Sequence, residues 1–589
     1  MEFIAHNLAP IMFAGLICFL LVGFPVAFSL GACGLFFAFI GIEMNVLPEA
    51  LLQALPLRIY GIMQNDTLLA IPFFTLMGLI LERSGMAEDL LDTIGQLFGP
   101  IRGGLALAVI FVGALLAATT GVVAASVISM GLISLPIMLR YGYDRRLAAG
   151  VIAASGTLAQ IIPPSLVLII IADQLGRSVG DMYKGAFLPG LMLTGFYASY
   201  VILLAVIKPQ WVPAMPPEAR TLREDNGKSG VPSLLVLTAI CTAASIYVAK
   251  NMPALHTWWS GEAVDKVALD ETIVVSMCFG VALAFVAASF NKITRLGLLS
   301  RAAERVTFAL IPPLLLIFLV LGTIFLGVAT PTEGGAMGAL GAIIMAVIRG
   351  RLSMSLLKQA LNTTTKLSCF VVFILVGATI FGLTFQGVDG PLWVEHLLSG
   401  LPGGQLGFLI VVNIMVFFLA FFLDFFELSF IVVPLLAPVA DKLGIDLIWF
   451  GVLLAINMQT SFMHPPFGFA LFYLRSVAPA KEYMDKVTKK MIAPVTTTQI
   501  YWGAIPFLCI QILMVVLVIT FPGIVSSGLD KAEVYDLDKV RLEMEANMPA
   551  PMEQADPTAG MPGSEAPAAE DDPLKAMQES LSQDAEKKN

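Results

Sequence analysis

Apolar segments recur along nearly the whole chain, at about 9–22, 24–41, 66–81, 105–139, 144–172, 186–207, 233–250, 271–290, 307–326, 334–348, 367–387, 407–440, 447–474 and 494–521, separated by short polar or charged stretches. Most are long enough to cross a hydrocarbon core of ~30 Å as a helix. They far exceed the ~10-residue strands of an outer-membrane barrel. Composition points the same way: 58% of the 589 residues are hydrophobic and 13% charged, with mean hydropathy +0.86, whereas soluble domains carry about a quarter charged residues. The pattern predicts an all-α polytopic membrane protein and excludes a soluble enzyme. The start of the chain lacks a basic stretch and a small-residue cleavage site, so its first apolar run reads as a membrane helix rather than a removed signal.

Loop charges set the sidedness. Basic clusters occur at Arg140/Arg145/Arg146, Arg220/Arg223/Lys228, Lys292/Arg295/Arg301/Arg305, Arg349/Arg351/Lys358/Lys366 and Arg475/Lys481/Lys486/Lys489/Lys490, while the loop from Val388 to Leu406 holds no Lys or Arg. With the basic loops in the cytoplasm, the count closes only if 105–139 and 407–440 each enter and leave on one side, as re-entrant hairpins.

The same two regions match each other. Pro136, Gly142, Asp144, Ala153, Pro163 and Pro164 recur 302 residues later as Pro438, Gly444, Asp446, Ala455, Pro465 and Pro466. The charge rule puts the first Gly-x-Asp loop inside and the second outside, so the repeat is inverted, the signature of secondary transporters. The chain divides into a first repeat over 1–207, an insertion with two extra membrane helices over 208–306, a second repeat over 307–521, and a polar, acidic tail over 522–589 whose composition predicts disorder. The net charge of −9 owes much to that tail, and the six cysteines are scattered singly, without a disulfide or metal spacing.

Each repeat pairs its hairpin with a helix interrupted by Pro-Pro. In the first, Thr119, Thr120 and Gly121 stand at the hairpin tip, and Ser155, Gly156, Thr157 and Gln160 precede Pro163-Pro164; in the second, Asp424 stands at the tip, and Asn457, Gln459 and Thr460 precede His464-Pro465-Pro466. These are the candidate substrate-binding residues. Proline removes a donor and blocks the carbonyl four residues back, and lipid offers the freed carbonyls no partner. A sodium ion suits them, with Thr and Ser hydroxyls completing its shell, and the half-helix that follows presents its positive N-terminus to an anion. The bland alternative is a kink healed by neighbouring Ser and Thr. Asp424, Glu427 and Glu333 are carboxylates in apolar surroundings, functional if deep in the membrane and unremarkable if near an interface. His464 is either a hydrogen-bonded packing residue or a proton carrier. The Thr330-Pro331-Thr332-Glu333 turn echoes Gly23-Phe24-Pro25 and reads as another helix break.

Thr119-Thr120-Gly121, Ser155-Gly156-Thr157 with Pro163-Pro164-Ser165, Thr330-Pro331-Thr332-Glu333 and Pro465-Pro466 together resemble the large membrane subunit of tripartite ATP-independent periplasmic (TRAP) transporters, over about 1–207 and 307–521. The Thr-Thr-Gly hairpin and the long insertion are similar to the branch labelled for mannitol or chloroaromatic compounds, which also serves 2-oxo and 2-hydroxy acids. The resemblance implies an elevator-type ion transporter fold in the bacterial inner membrane and sodium-driven uptake of an organic anion. Its partners would be a small four-helix membrane subunit and a periplasmic substrate-binding protein; it implies no organic cofactor and no nucleic acid. The family's first sodium site would fall on Thr120, Val123, Ala159, Ile162 and Pro164, largely through carbonyls. The second would fall near the Asp424 hairpin with Ser461, His464 and Phe467. His464 departs from the family's usual Thr at that position, and Val122-Val123 stand where Ser or Gly is common. A stand-alone sodium–anion symporter is the competing class. A membrane enzyme would need a catalytic constellation, and neither His-Glu-x-x-His, Gly-x-Ser-x-Gly nor a Walker motif occurs.

Overall fold

The computed structural model describes residues 7–121, 123–220, 230–261, 267, 269–295, 297–485 and 487–529; most of the 522–589 tail therefore lies outside the described residues, whose chain runs on through a short helix, Gly523–Ser526. Among the described residues nine helices are long and apolar enough to cross a membrane, and eleven if two bent pairs each count as one span. The only strands among the described residues are Tyr483–Met484 and Met491–Ile492, in the loop before the last long helix.

The 302-residue repeat extends through the whole fold. The inner hairpin arms are Val123–Arg140 and Phe425–Lys442, and the outer arms Gly104–Thr120 and Gly404–Leu419. The broken helices run Arg145–Thr157 then Leu166–Gln174, and Leu447–Met463 then Phe469–Val477. Both start on the repeated aspartate: the Asp144 carboxylate accepts from the amides of Arg146 and Leu147, and that of Asp446 from Trp449. A short acceptor side chain in extended backbone satisfies donors that a helix start leaves bare.

Packing between the copies is reciprocal. Leu166–Gln174 lies on the second hairpin's Phe425–Lys442, and Phe469–Val477 lies on the first hairpin's Val123–Arg140. Helix Val179–Ile207 packs on Leu447–Met463, while Thr497–Thr520 packs on Arg145–Thr157. Such isologous exchange defines a pseudo-two-fold axis. The copies are inverted, because Arg177, just beyond the first broken helix, lies 3.8 Å from Asp441 beside the Asp446 loop, at the opposite end of that helix from Asp144. Outside this centre, Val26–Glu43 packs on Met354–Gly387 and Pro331–Ile348 on Ala70–Arg83, the same exchange again.

Several helices are absent from the hydropathy reading, Met252–Ser260 of the insertion among them. Glu49–Ala54 with Leu55–Met63 precedes Asp66–Arg83 at a bend of 48°, and Gly390–Ser399 meets Gly404–Leu419 at 116°. Met86–Phe98 buries Met86, Ala87, Leu90, Leu91 and Ile94 along one face. Its other face carries Asp89, paired with Arg349 and Arg351, and Asp92, paired with Arg305. A helix with one apolar face and one charged face averages out in a hydropathy window but has a clear 3.6-residue period. Met86–Phe98 and Gly390–Ser399 are arms that join the outer helices to the two hairpins.

Candidate functional site

Both predicted breaks are present. In the first copy the helix tightens into a turn at Leu158–Gln160, passes Pro163-Pro164, and restarts at Leu166 with the Ser165 side chain accepting from Leu168. Ser165 Oγ also donates to the Gln160 carbonyl at 2.6 Å, the healing by a neighbouring hydroxyl that the bland alternative anticipates. It heals one carbonyl only: among the described residues no hydrogen bond ends on the carbonyl oxygens of Ala159, Ile162 or Pro164. Gln160 is fully buried, and neither polar atom of its side-chain amide has a partner among the described residues. Unpaired polar groups at such a position call for a polar occupant.

The first hairpin turns at Gly121, where φ is +58°; a Cβ there would meet Leu166 Cγ at 3.1 Å, so the tip rests on the start of the second half-helix. Val122 and the side chains of Thr119 and Thr120 lie outside the described residues. Val123 is buried at the start of the inner arm. Ser155 Oγ donates to the Val151 carbonyl, and a Cβ on Gly156 would lie 2.3 Å from Val127. These two residues seat the half-helix against the hairpin. The Thr157 hydroxyl donates to the Ala154 carbonyl at 2.9 Å and accepts from Gln459 Nε2 at 3.2 Å and Gln511 Nε2 at 3.4 Å, which fills its bonding capacity.

In the second copy Asp424 caps the inner arm, its carboxylate accepting from Phe426 and Glu427 amides while Glu427 accepts from the Asp424 amide at 3.0 Å. The reciprocal pair is a capping box. Thr330 and Glu333 form another at the start of Pro331–Ile348. All three carboxylates singled out from the sequence thus have local partners at helix starts. Asn457 Nδ2 donates to the Asn413 carbonyl, the Thr460 hydroxyl to the Asn457 carbonyl and the Ser461 hydroxyl to the Met458 carbonyl. Of the second predicted ion ligands, the Ser461 carbonyl accepts from the His464 amide and the His464 carbonyl from Gly468 at 2.7 Å, whereas no described bond ends on the Phe467 carbonyl. The His464 ring stacks on Phe421 with centroids 4.4 Å apart and meets the edge of Phe417 at 5.3 Å, with Nδ1 unpartnered.

The structure thus gathers Ala159, Gln160, Ile162 and Pro164 at one break and Ser461, His464 and Phe467 at the other. It joins the two through Thr157 and Gln459, which occupy the same position in the two copies. The sequence reading missed Tyr197, Asn413 and Gln511. A lone amide in an apolar span, as at Asn413 and Gln511, was the available signal. It also missed Glu82, whose carboxylate accepts from Ser129 of the first hairpin at 2.5 Å.

Inverted repeats that pack reciprocally around a pair of opposed helix breaks are the framework of a secondary transporter. The chain matches the family model of the tripartite ATP-independent periplasmic transporter, DctM component, over residues 13–264 and 267–524, and belongs to that family. It is 27% identical over 481 residues to the C4-dicarboxylate TRAP transporter large permease protein DctM of Rhodobacter capsulatus, covering 79% of this chain and 89% of that protein. Similarity to the isethionate TRAP transporter permease protein DctMQ of Oleidesulfovibrio alaskensis is 26% over 486 residues, 82% of this chain and 63% of that one. The sialic acid TRAP transporter permease protein SiaT of Haemophilus influenzae matches at 23% over 506 residues, 86% of this chain and 65% of that one. Among solved structures, the Alcanivorax borkumensis YdaH transporter aligns with TM-score 0.47 at 13% identity, over 80% of this chain and 89% of that one. The protein is a TRAP large permease, a multi-pass inner-membrane subunit of a class that works with a small membrane subunit and a periplasmic binding protein.

Proposed function

We propose that this permease imports an organic anion, a carboxylate such as a 2-oxo or 2-hydroxy acid, driven by sodium and moving its cargo by an elevator displacement of the hairpins and broken helices. The observation that carries the sodium reading is the set of carbonyls at Ala159, Ile162 and Pro164, inside an apolar bundle, that no hydrogen bond from the described residues reaches. Carbonyl oxygens are hard, neutral ligands, and a small monovalent cation satisfies several at once where lipid and neighbouring helices supply no donor. The anion reading is supported by the opposed restarts at Leu166 and Phe469, whose first amides point away from their helices with the positive end of each dipole. Gln160 adds a buried amide able to hydrogen-bond a carboxylate or hydroxyl. The similar proteins are named for a dicarboxylate, isethionate and sialic acid, all organic anions.

An elevator needs an opening on one side of the membrane at a time. A cavity of about 550 Å³ opens on the basic face between the arm helix and the first hairpin, lined by Gln96, Ala108, Ser134, Arg140 and Met215 among others. This geometry supports a cytoplasm-open state. A four-helix small subunit and a periplasmic binding protein complete the proposed assembly, the latter delivering the anion. If two or more sodium ions accompany one monovalent anion, each excess charge moving inward gains ~2.3 kcal/mol per 100 mV. In proteoliposomes holding the permease, its small subunit and the loaded binding protein, uptake is expected to require sodium and to rise with an inside-negative potential. Uptake indifferent to sodium and driven by a proton gradient alone would overturn the proposal.

A further inference from the structure

The two breaks are tied together by a hydrogen bond between their own side chains, which two residues from outside the breaks brace. Thr157 and Gln459 are equivalent residues of the two repeats, and their hydrogen bond therefore sits on the pseudo-two-fold axis. The Thr157 hydroxyl also accepts from Gln511 Nε2, whose other proton goes to Tyr197 Oη at 2.8 Å. Tyr197 and Gln511 lie on Val179–Ile207 and Thr497–Thr520, the two helices that follow the breaks, and all four side chains are completely buried. Both protons of the Gln511 amide, one of Gln459 and every position of the Thr157 hydroxyl are used, whereas Gln459 Oε1 and Gln511 Oε1 find no partner among the described residues.

We infer that Gln511 and Tyr197 are positioning residues that hold the two breaks in a fixed relation, so that occupancy of one sets the geometry of the other; the inference rests on the sodium reading above. Thr157 leads directly into the Leu158–Gln160 turn, which carries Ala159 of the first predicted ion position, and Gln459 lies just before Ser461 and His464 of the second. Such a buried network is stiff, because each polar group that loses its partner has no water to turn to. A change in ligation that rotates one turn is therefore passed across the axis through Thr157. The network has no spare position on Thr157 for an ion or substrate, so its part is to place the ligating carbonyls, not to ligate.

The test is the sodium dependence of initial uptake by the complete transporter at saturating anion, in wild type, Gln511→Leu, Tyr197→Phe and the double variant. Wild type is expected to respond sigmoidally. Gln511→Leu should keep its maximal rate within about twofold, raise half-saturating sodium about tenfold, the size of an ordinary allosteric coupling, and bring the Hill slope down toward one. Tyr197→Phe, nearly isosteric and certain to pack if Gln511→Leu does not, should move both quantities less in the same direction. The double variant should be no worse than Gln511→Leu, because residues of one network are non-additive. A purely structural role predicts instead a lower melting temperature or a lower maximal rate with the sodium curve unchanged. That result, or additive shifts in the double variant, would overturn the inference. A sodium-indifferent wild type would overturn the transport proposal and this inference together, and is told apart because it appears without any substitution.

Discussion

The closest approach of the two repeats makes a quantitative prediction. Helices Arg145–Thr157 and Thr497–Thr520 cross backbone to backbone at Gly150 and Gly503. A Cβ on Gly503 would lie 1.9 Å from the Arg146 carbonyl oxygen, and one on Gly150 would lie 2.1 Å from that of Gly503. Carbon and carbonyl oxygen settle no closer than about 3.3 Å, so Gly503→Ala must drive the helices apart by about 1.4 Å; no rotamer change can absorb a clash between main chains. Overpacking of this kind costs about 3 kcal/mol, the upper end of the usual range. Contact between small residues is also how membrane helices gain affinity without a hydrophobic driving force. Gln511 sits about two turns further along the same helix, and its bond to Thr157 is already 3.4 Å long, so the displacement breaks it. Gly503→Ala is therefore expected to lower the melting temperature in detergent and to reproduce the raised half-saturating sodium of Gln511→Leu. The control is Gly195→Ala, at an exposed position of Val179–Ile207 where a Cβ meets nothing within 4 Å; it should be neutral or slightly stabilising. A Gly503→Ala transporter with wild-type melting and sodium response would refute the reasoning.

Further outcomes follow from the second copy and the cytoplasmic loop. Asp424→Asn, which keeps an N-cap acceptor, should retain uptake, while Asp424→Ala should cost about 1 kcal/mol and, combined with Glu427→Ala, less than the sum; lost uptake in the Asn variant with normal insertion would give the charge a direct part in transport. His464→Phe should preserve uptake and its dependence on pH, because the ring packs among Phe417 and Phe421; a changed pH profile would show that an imidazole nitrogen acts. Asp485 clips the loop to the first hairpin, accepting from Arg140 Nε at 3.0 Å and from the Thr488 amide and hydroxyl at 2.7 Å each. Burial alone would raise its pKa, but these hydrogen bonds and the Arg140 charge outweigh it and bring the carboxyl down to about 2. A depressed carboxyl stabilises the clip above its unfolded value of about 3.9 and loses that contribution as pH falls through about 2. Hydrogen exchange in residues 479–495 should therefore accelerate between about pH 4 and 2 in wild type, and at neutral pH Asp485→Asn should speed tryptic cleavage there about tenfold, from ~1.5 kcal/mol lost. Equal cleavage of the two proteins would refute the clip.

The sequence alone determined the class of fold, because burying apolar helices in lipid is a property of composition and length, and it determined the inverted repeat, because Pro, Gly and Asp at matched positions survive in helices only where the backbone needs them. It placed the hairpins, both Pro-Pro breaks and the repeated Gly-x-Asp loops, all of which depend on neighbours a few residues away, while the structure showed that Asp144 and Asp446 cap the helices that follow. The arm helices Met86–Phe98 and Gly390–Ser399 escaped a hydropathy reading because half of each surface is polar, although their period was there to be found. What only tertiary structure decided was which side chains remain free. Asp424, Glu427 and Glu333 looked like intramembrane charges and are drawn into capping boxes; Thr157 looked like a ligand and is filled by two amides from distant segments. Gln511, unremarkable in sequence, is 354 residues from the hydroxyl it meets. A hydrogen bond between partners so far apart is set by how helices cross, and crossings such as Gly150 on Gly503 are a property of the packed bundle that no local pattern specifies.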